Sequence, residues 1–563
     1  MILDKGPRAL ICAGFFCLAA ALGGGAQAAQ VYPGCAQPSP TGKVWWVDPV
    51  NGKTPAAGGL GTQAAPWSSL TGIIGGQWAT GGFTLPGYTR PLLSSVVYLH
   101  PVPGKGVAIA ADSLGNPPVN PGDTINLMGG SYGDIMIGSF ARDVVNPDFV
   151  TIQAAPGVVP VFSVLALTST NKWVFKGIKV QSLSGTNKNT LSLVTIGDQG
   201  SAHRTSDIIL ENMQLSTADS MDGWTKPQWV AQARSGFREV GSAGDGTNGE
   251  PYTTCISITG SHIQNVRFGA VIAGNNSLFS LNEMDHFGDD GIDYAASNIS
   301  ITHNYIHDNM DIGDGNHEDA MQGQNGSVPR GVAFNAFSNI LIDSNLVIRQ
   351  TDANLPFPAY LQGIDAFDED WTNLTVTNNA VVTSACWGIG YASVHHGKII
   401  NNTMLDDGSD IGTKNGAGKI VCRPSITVGD KTHQGLASND VIIRNNIANK
   451  LAIDNRNPNM TMDHNICLNI NGGCQILTYV NGQPNFGVYK PGEYGDHNII
   501  ERRGAAGMFV SFDLVKFVFD LRLRPDTIAI GAGDPAEAPP VDITGAPRKG
   551  SIDVGAYQYS PLK

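Results

Sequence analysis

Ser297-Asn-Ile-Ser-Ile-Thr-His-Asn304 and Ser338-Asn-Ile-Leu-Ile-Asp-Ser-Asn345 are two copies of one pattern. Thr372-Asn-Leu-Thr-Val-Thr-Asn-Asn379, Ser438-Asn-Asp-Val-Ile-Ile-Arg-Asn-Asn446 and Pro458-Asn-Met-Thr-Met-Asp-His-Asn465 repeat it. Each is a short alternation of apolar and polar residues closed by an asparagine, which describes a brief strand with one buried face. The closing asparagines fall at positions 282, 304, 345, 379, 402, 446 and 465, so one repeat takes about twenty residues plus insertions. A unit that short cannot bury its own apolar face. Successive units must therefore stack, with Ile, Leu and Val forming a continuous core. Amphipathic helical patterning is almost absent, and Asn and Gly stand at the bends. The expected fold is all-β: a parallel β-helix, or β-solenoid, forming a single elongated domain with loop insertions. The asparagine column reads as a hydrogen-bonded ladder at the bend rather than as a catalytic feature.

A second strand of each repeat carries the chemistry. Arg267-Phe-Gly-Ala-Val271, Asp289-Asp-Gly-Ile-Asp293, Glu318-Asp-Ala-Met-Gln322, Leu361-Gln-Gly-Ile-Asp365 and Cys386-Trp-Gly-Ile-Gly390 align column by column. Side chains alternate along a strand, so placing Ile292, Met321 and Ile364 inward turns Asp293, Gln322 and Asp365 outward. Strands about 4.8 Å apart would make these three an exposed row, with Gly291, Ala320 and Gly363 as open floor for a ligand ring. Asp289, Asp290, His317, Glu318, Asp319, Asp368, Glu369 and Asp370 surround the row. Stacked carboxylates repel one another, so a purely structural surface is expected to avoid them. Something must compensate: a divalent cation, a basic residue from another coil, or raised proton affinity. The expected catalytic residues are Asp290, Asp293, His317, Asp319 and Asp365. Gln322, Trp224, Trp229, Tyr294, Arg330 and Trp387 are the expected substrate contacts. Asp293, Asp319, Gln322 and Asp365 are the expected metal ligands, and their hard oxygens suit Ca²⁺. Asp311, Asp314, Asp406 and Asp407 read instead as solvated bends and Asx turns.

The remaining sequence bounds the setting. Lys5 and Arg8 precede the apolar run Ala9–Leu22, and Ala26-Gln-Ala28 follows, so residues 1–28 read as an export signal. With Cys12 and Cys17 inside that segment, Cys35, Cys255, Cys386, Cys422, Cys467 and Cys474 remain. An even number in an exported chain suggests disulfides, with Cys467–Cys474 the expected pair. No later run is long and apolar enough to span a bilayer. The expectation is a secreted or periplasmic monomer. The formal net charge is −13, and no Lys/Arg stripe offers a path for phosphates, so nucleic acid is excluded as a partner. A polysaccharide is the expected partner, and an acidic one is compatible if a cation bridges the two sets of carboxylates.

The chain's two ends carry a resemblance. Trp46-Val-Asp-Pro49, Asn51-Gly52, Pro66-Trp67 and Pro121-Gly-Asp-Thr-Ile125 running to Gly130-Ser-Tyr132 are similar to the opening of secreted bacterial proteins of the pectate-lyase-like superfamily. Ala529-Ile-Gly-Ala-Gly-Asp-Pro535, Asp542-Ile-Thr-Gly545, Arg548 and Asp553-Val-Gly-Ala-Tyr557 resemble the tail that follows many of those helices. The resemblance implies a right-handed coil. It also implies an N-terminal segment and first coil over 29–135 with an insertion at 71–120, a β-helix over 136–500 with an insertion at 221–252, and a tail over 501–563. It makes uronate β-elimination available: Ca²⁺ neutralises the sugar carboxylate, and His317 or one of Arg267, Arg330, Arg349 and Lys398 serves as base. That is the leading expectation, depolymerisation of an acidic polysaccharide. The alternatives are an inverting glycoside hydrolase using paired aspartates, for which Gly288-Asp-Asp-Gly291 is the sequence feature, a uronate epimerase, and a non-catalytic adhesive solenoid.

Overall fold

The computed structural model describes residues 30–561, apart from 71–72, 75–95, 99–117, 139–145, 169, 184–191, 198–204, 241–252, 325–335, 410–422, 431–436, 454–456, 469–474, 481–482 and 489–496. The expected export signal, most of the 71–120 insertion, Arg330, Cys422 and Cys474 lie outside the described residues. The chain divides into two compact units, one of residues 29–341 with 355–371 and the other of 342–354 with 372–563.

In the first unit three ladders of parallel strands run side by side through the sequence. One joins Val44–Val47, Thr124–Leu127, Val150–Ala154, Asn171–Lys176, Thr205–Glu211, Thr253–Thr259, Leu278–Ser280 and Ile299–Thr302. A second joins Lys179–Gln181, Gln214–Ser216, His262–Val266, Glu283–Phe287 and Tyr305–His307. The third joins Pro160–Thr168, Val194–Gly197, Phe237–Val240, Ala270–Ile272, Ile292–Tyr294, Glu318–Gly323 and Leu361–Ala366. One coil contributes one strand to each ladder, as Leu278–Ser280, Glu283–Phe287 and Ile292–Tyr294 do in turn. This is a parallel β-helix, right-handed as parallel crossovers are. Ile263, Met284 and Ile306 stack in one inward column and Ile292, Met321 and Ile364 in another, all buried. Each such side chain contributes about 1.5–3 kcal/mol of apolar burial.

The second unit uses the same construction. Ala380–Thr383, Thr403–Asp406, Ile447–Ala448, Ile466–Leu468 and Ile499–Glu501 form one of its parallel ladders. Val394–Ile400, Asn439–Arg444 and Thr461–Asp463 form another. An antiparallel pair, Phe509–Asp513 with Val518–Leu523, belongs to its C-terminal part.

The asparagine ladder holds in both units. In the second, Nδ2 of Asn345, Asn379, Asn402, Asn446 and Asn465 donates to Oδ1 of the next, at 2.9–3.0 Å, ending on Asn498. In the first, Asn282 donates likewise to Asn304. The residue before the ladder asparagines 282, 304, 345, 379, 402, 446 and 465 bends through the left-handed region: Leu281, His303, Ser344, Asn378, Asn401, Asn445 and His464. Where Ser261 replaces the asparagine, Gly260 takes that bend at φ 61°, a conformation glycine adopts without strain.

Cys35 and Cys255 form a disulfide within the first unit. Cys386 and Cys467 each take part in a disulfide, and Cys474, the expected partner of Cys467, lies outside the described residues. No helix among the described residues is long and apolar enough to cross a membrane.

Candidate functional site

Four strands of the third ladder build the site: β1 (Ala270–Ile272), β2 (Ile292–Tyr294), β3 (Glu318–Gly323) and β4 (Leu361–Ala366). Their register pairs Val271 with Asp293, Asp293 with Gln322, and Gln322 with Asp365. The row expected from the sequence therefore exists in three neighbouring coils. It is far less exposed than a surface row, with Asp365 at 1% and Gln322 at 9%.

The turn Gly288–Gly291 leads into β2 and fixes two more carboxyls. Asp289 accepts from Arg267 Nε at 2.7 Å, and Arg267 also binds Asp314. Asp290 reaches the next coil: its Oδ1 accepts from the Asp319 backbone N–H at 3.0 Å, and its Oδ2 accepts from Asn316 Nδ2 at 3.2 Å. His317 Nδ1 lies 2.7 Å from Asp319 Oδ2. Asp290, His317 and Asp319 each bring one ligand-type atom within 4.8 Å of the others. Gly291 is demanded by backbone approach, because a Cβ there would lie 2.5 Å from the Ala320 carbonyl oxygen. That glycine serves tight stacking of coils and is not the open floor expected from the sequence.

The electrostatics follow from crowding acids out of water. Burial, then the charge of Asp319, pushes the Asp290 carboxyl up to about 7. Burial, then Asp290 and Asp319, holds Asp293 well above the usual carboxylate range, although Gln324 donates to it. Asp365 is raised strongly by burial and by the charges of Asp319 and Asp290. Burial also lifts Asp289 and Glu318 to about 8, each with a second push, from Asp314 and Asp311 respectively. The His317 imidazole goes up to about 9, chiefly through its hydrogen bond to Asp319.

Several oxygens at the site are buried without a donor: Asp289 Oδ1, Asp293 Oδ1, Asp319 Oδ1, Gln322 Oε1 and both carboxyl oxygens of Asp365. Buried acceptors are normally satisfied. Four of these five residues, Asp293, Asp319, Gln322 and Asp365, are the expected Ca²⁺ ligands, and their donors are the hard oxygens that ion takes; of the four, Asp319 belongs to a compact ligand group, with Asp290 and His317. Protons shared between carboxyls meet the same need.

Other expected residues fall elsewhere. Tyr294 is fully buried, edge-on to Trp371, and its hydroxyl donates to the Asp365 carbonyl at 3.2 Å. The alternation that turns Asp293 outward turns Tyr294 inward, so it shapes β4 from beneath and is no sugar platform. Trp229, on the helix Lys226–Gln232, packs with Met221, Ala233, Met310, Ile312 and Leu355 at 2% exposure, leaving no free ring face. Trp224 is half-buried against it. Trp387 belongs to the other unit. Among the basic candidates, Arg349 pairs with Asp407 and Lys398 with Glu537. The sequence reading missed the Arg267–Asp289–Asp314 bridge, which ties the turn before β2 to the loop carrying His317; nothing in local spacing signals a contact 47 residues apart.

No protein-family model matches the sequence, and no curated protein matches it. Among solved structures, the chain is similar to pectate lyase Pel9A at 14% identity and TM-score 0.40, covering 94% of this chain and 98% of that one. The A-module of mannuronan C-5 epimerase AlgE6 from Azotobacter vinelandii matches at 12% identity and TM-score 0.40, covering 67% and 89%. A rhamnogalacturonan lyase matches at 11% identity and TM-score 0.35, covering 75% and 87%. Likeness this distant transfers neither substrate nor reaction. The class defined by the chain's own strands is a parallel β-helix with a buried carboxyl cluster on one ladder.

Proposed function

We propose that this protein is an exported carbohydrate-active enzyme that cleaves a polysaccharide over β2, β3 and β4 by acid–base catalysis among carboxyls. One observation carries the reading: Asp290, Asp293 and Asp365, all with raised proton affinities, converge with Asp319, and Asp293, Asp319 and Asp365 carry unsatisfied oxygens. Glycoside hydrolysis needs a carboxylic acid still protonated near neutral pH and a second carboxylate that activates water or attacks the sugar. Asp365 and Asp293 supply the first. Asp319, ion-paired with His317, supplies the second. His317 is charged at neutral pH in this arrangement and Arg267 is held by two aspartates, so neither is free to act as the base of a β-elimination. These features put hydrolysis ahead of elimination. The disulfides fit an oxidising compartment outside the cytosol.

The unsatisfied oxygens favour a second reading. Asp293, Asp319, Gln322 and Asp365 would hold Ca²⁺, which would supply neutralisation of a uronate carboxylate for β-elimination or C5 epimerisation. The test is to incubate purified protein with neutral and uronate-containing polysaccharides, with Ca²⁺ and with chelator. New reducing ends without near-ultraviolet absorbance support hydrolysis. Absorbance of an unsaturated product that needs Ca²⁺ moves the same residues to elimination. Absence of both products across the panel overturns the enzymatic reading.

A further inference from the structure

The second ladder carries another cluster. Its register places His262, Glu283 and Tyr305 in one outward row and Gln264, Asp285 and His307 in the next, over the buried column Ile263, Met284 and Ile306. His262 Nε2 lies 2.5 Å from Asp285 Oδ2, and His307 Nε2 lies 3.4 Å from Glu283 Oε1. His262, Glu283 and Asp285 each bring a ligand-type atom within 4.8 Å of the others. Around them stands a supporting layer. His307 Nδ1 lies 2.7 Å from Asp308 Oδ2, its ring stacks on Tyr305 at 4.1 Å, and His286 Nδ1 bonds the remaining oxygen of Asp285. A carboxylate on one ring nitrogen, leaving the other turned into a cluster, is how metal-binding histidines are oriented. Asp285 and His307 are buried, whereas His262 opens to solvent, which provides an entry path.

One imidazole and two carboxylates in the compact group, with the His307 imidazole beside it at 3.4 Å from Glu283 Oε1, match the donor preferences of zinc, whereas Ca²⁺ and Mg²⁺ want oxygen alone. We propose that His262, Glu283, Asp285 and His307 bind one zinc-type divalent cation, which staples three successive coils on a ladder separate from the carboxyl site. Imidazole binds a metal only in its neutral, deprotonated form, so uptake releases protons where the free site holds them.

The test uses the whole purified protein, stripped by chelator and titrated with Zn²⁺ alone by calorimetry in two buffers of different ionisation enthalpy. The expected result is one tight site with proton release and a raised unfolding midpoint. His262→Ala and Asp285→Asn should each weaken that site by roughly 100-fold or more, and Asp308→Asn by about 10–100-fold through the lost support. His317→Ala and His497→Ala, which alter the other two compact His/Asp groups among the described residues, should leave it intact. Glu283→Gln preserves side-chain shape and guards against misfolding as the cause. The proposal is overturned if Zn²⁺ is not taken up, or if uptake survives both His262→Ala and Glu283→Gln.

Discussion

Two columns of stacked polar residues run through this protein, and they solve opposite problems. The asparagine ladder is buried as deeply as the carboxyl row, yet each amide both donates and accepts. Asn402 donates to Asn446 Oδ1 and the Val376 carbonyl while accepting from the Asn379 backbone and side chain. Asp293, Gln322 and Asp365 stack at the same strand spacing, but two of the three can only accept when ionised, and Asp293 Oδ1, Gln322 Oε1 and both oxygens of Asp365 are left without donors. A residue type that completes its own hydrogen bonds by repetition suits structure. A repeated acceptor leaves proton affinity or cation affinity unspent, and chemistry can use either.

The sharpest way to break this contrast is to turn one acid into an amide. Asp365→Asn gives the site a donor facing Asp319, so the variant should be more stable than the parent by about 1 kcal/mol. It also removes the general acid, so kcat should fall by about 10²–10⁴-fold. A denaturation midpoint and a reducing-end assay on the same preparation check both halves. A variant that is less stable and fully active would place Asp365 among structural residues.

The opposite change tests the ladder. Asn402→Ala takes the side-chain donor from the Val376 carbonyl and the acceptor from the Asn379 backbone N–H, while Asn446 Oδ1 keeps the backbone N–H of residue 402, so the expected loss is about 2 kcal/mol of stability. KM should stay unchanged, because Asn402 bonds Val376, Ile400, Asn379 and Asn446, a backbone-and-amide network with a structural role. Chemical denaturation followed by tryptophan fluorescence measures the first, and kinetics at matched folded concentration the second.

The two columns were not equally legible in the sequence. The asparagine ladder could be read directly, because period, residue type and role coincide, and the structure extends it by one rung to Asn498. The register Asp293–Gln322–Asp365 was also readable, since alternation fixes which side chains share a face. Tyr294 was misassigned although the same alternation governs it: an aromatic next to an aspartate looked like a sugar platform, and parity says it points inward. Trp229 was misassigned for another reason. Its burial depends on Met310, Ile312 and Leu355 meeting the helix Lys226–Gln232, a packing of distant segments that repeat spacing does not encode. The proton affinities were hidden for the same reason, because they depend on depth and on acids from three coils meeting.

The smallest and most diagnostic effect is the dependence of stability on pH. A carboxyl whose proton affinity rises on folding contributes stability that is fully present below its unfolded pKa and is lost as pH rises through the folded one. Asp290 at about 7 and Asp289 and Glu318 at about 8 therefore destabilise the fold between about pH 5 and 8. His317, raised to about 9, adds in the same direction, since its contribution is present below its unfolded pKa and lost as pH rises through the folded value. Asp285 and Asp314 are shifted down and oppose this only in stronger acid. The unfolding midpoint should thus climb as pH drops from about 8 to about 5. Asp290→Asn should flatten that slope, and millimolar Ca²⁺ should flatten it too if the unsatisfied oxygens take up the ion. A slope unchanged by Asp290→Asn would mean that the carboxyl row ionises as freely as surface acids do, and the contrast with the asparagine ladder would fail.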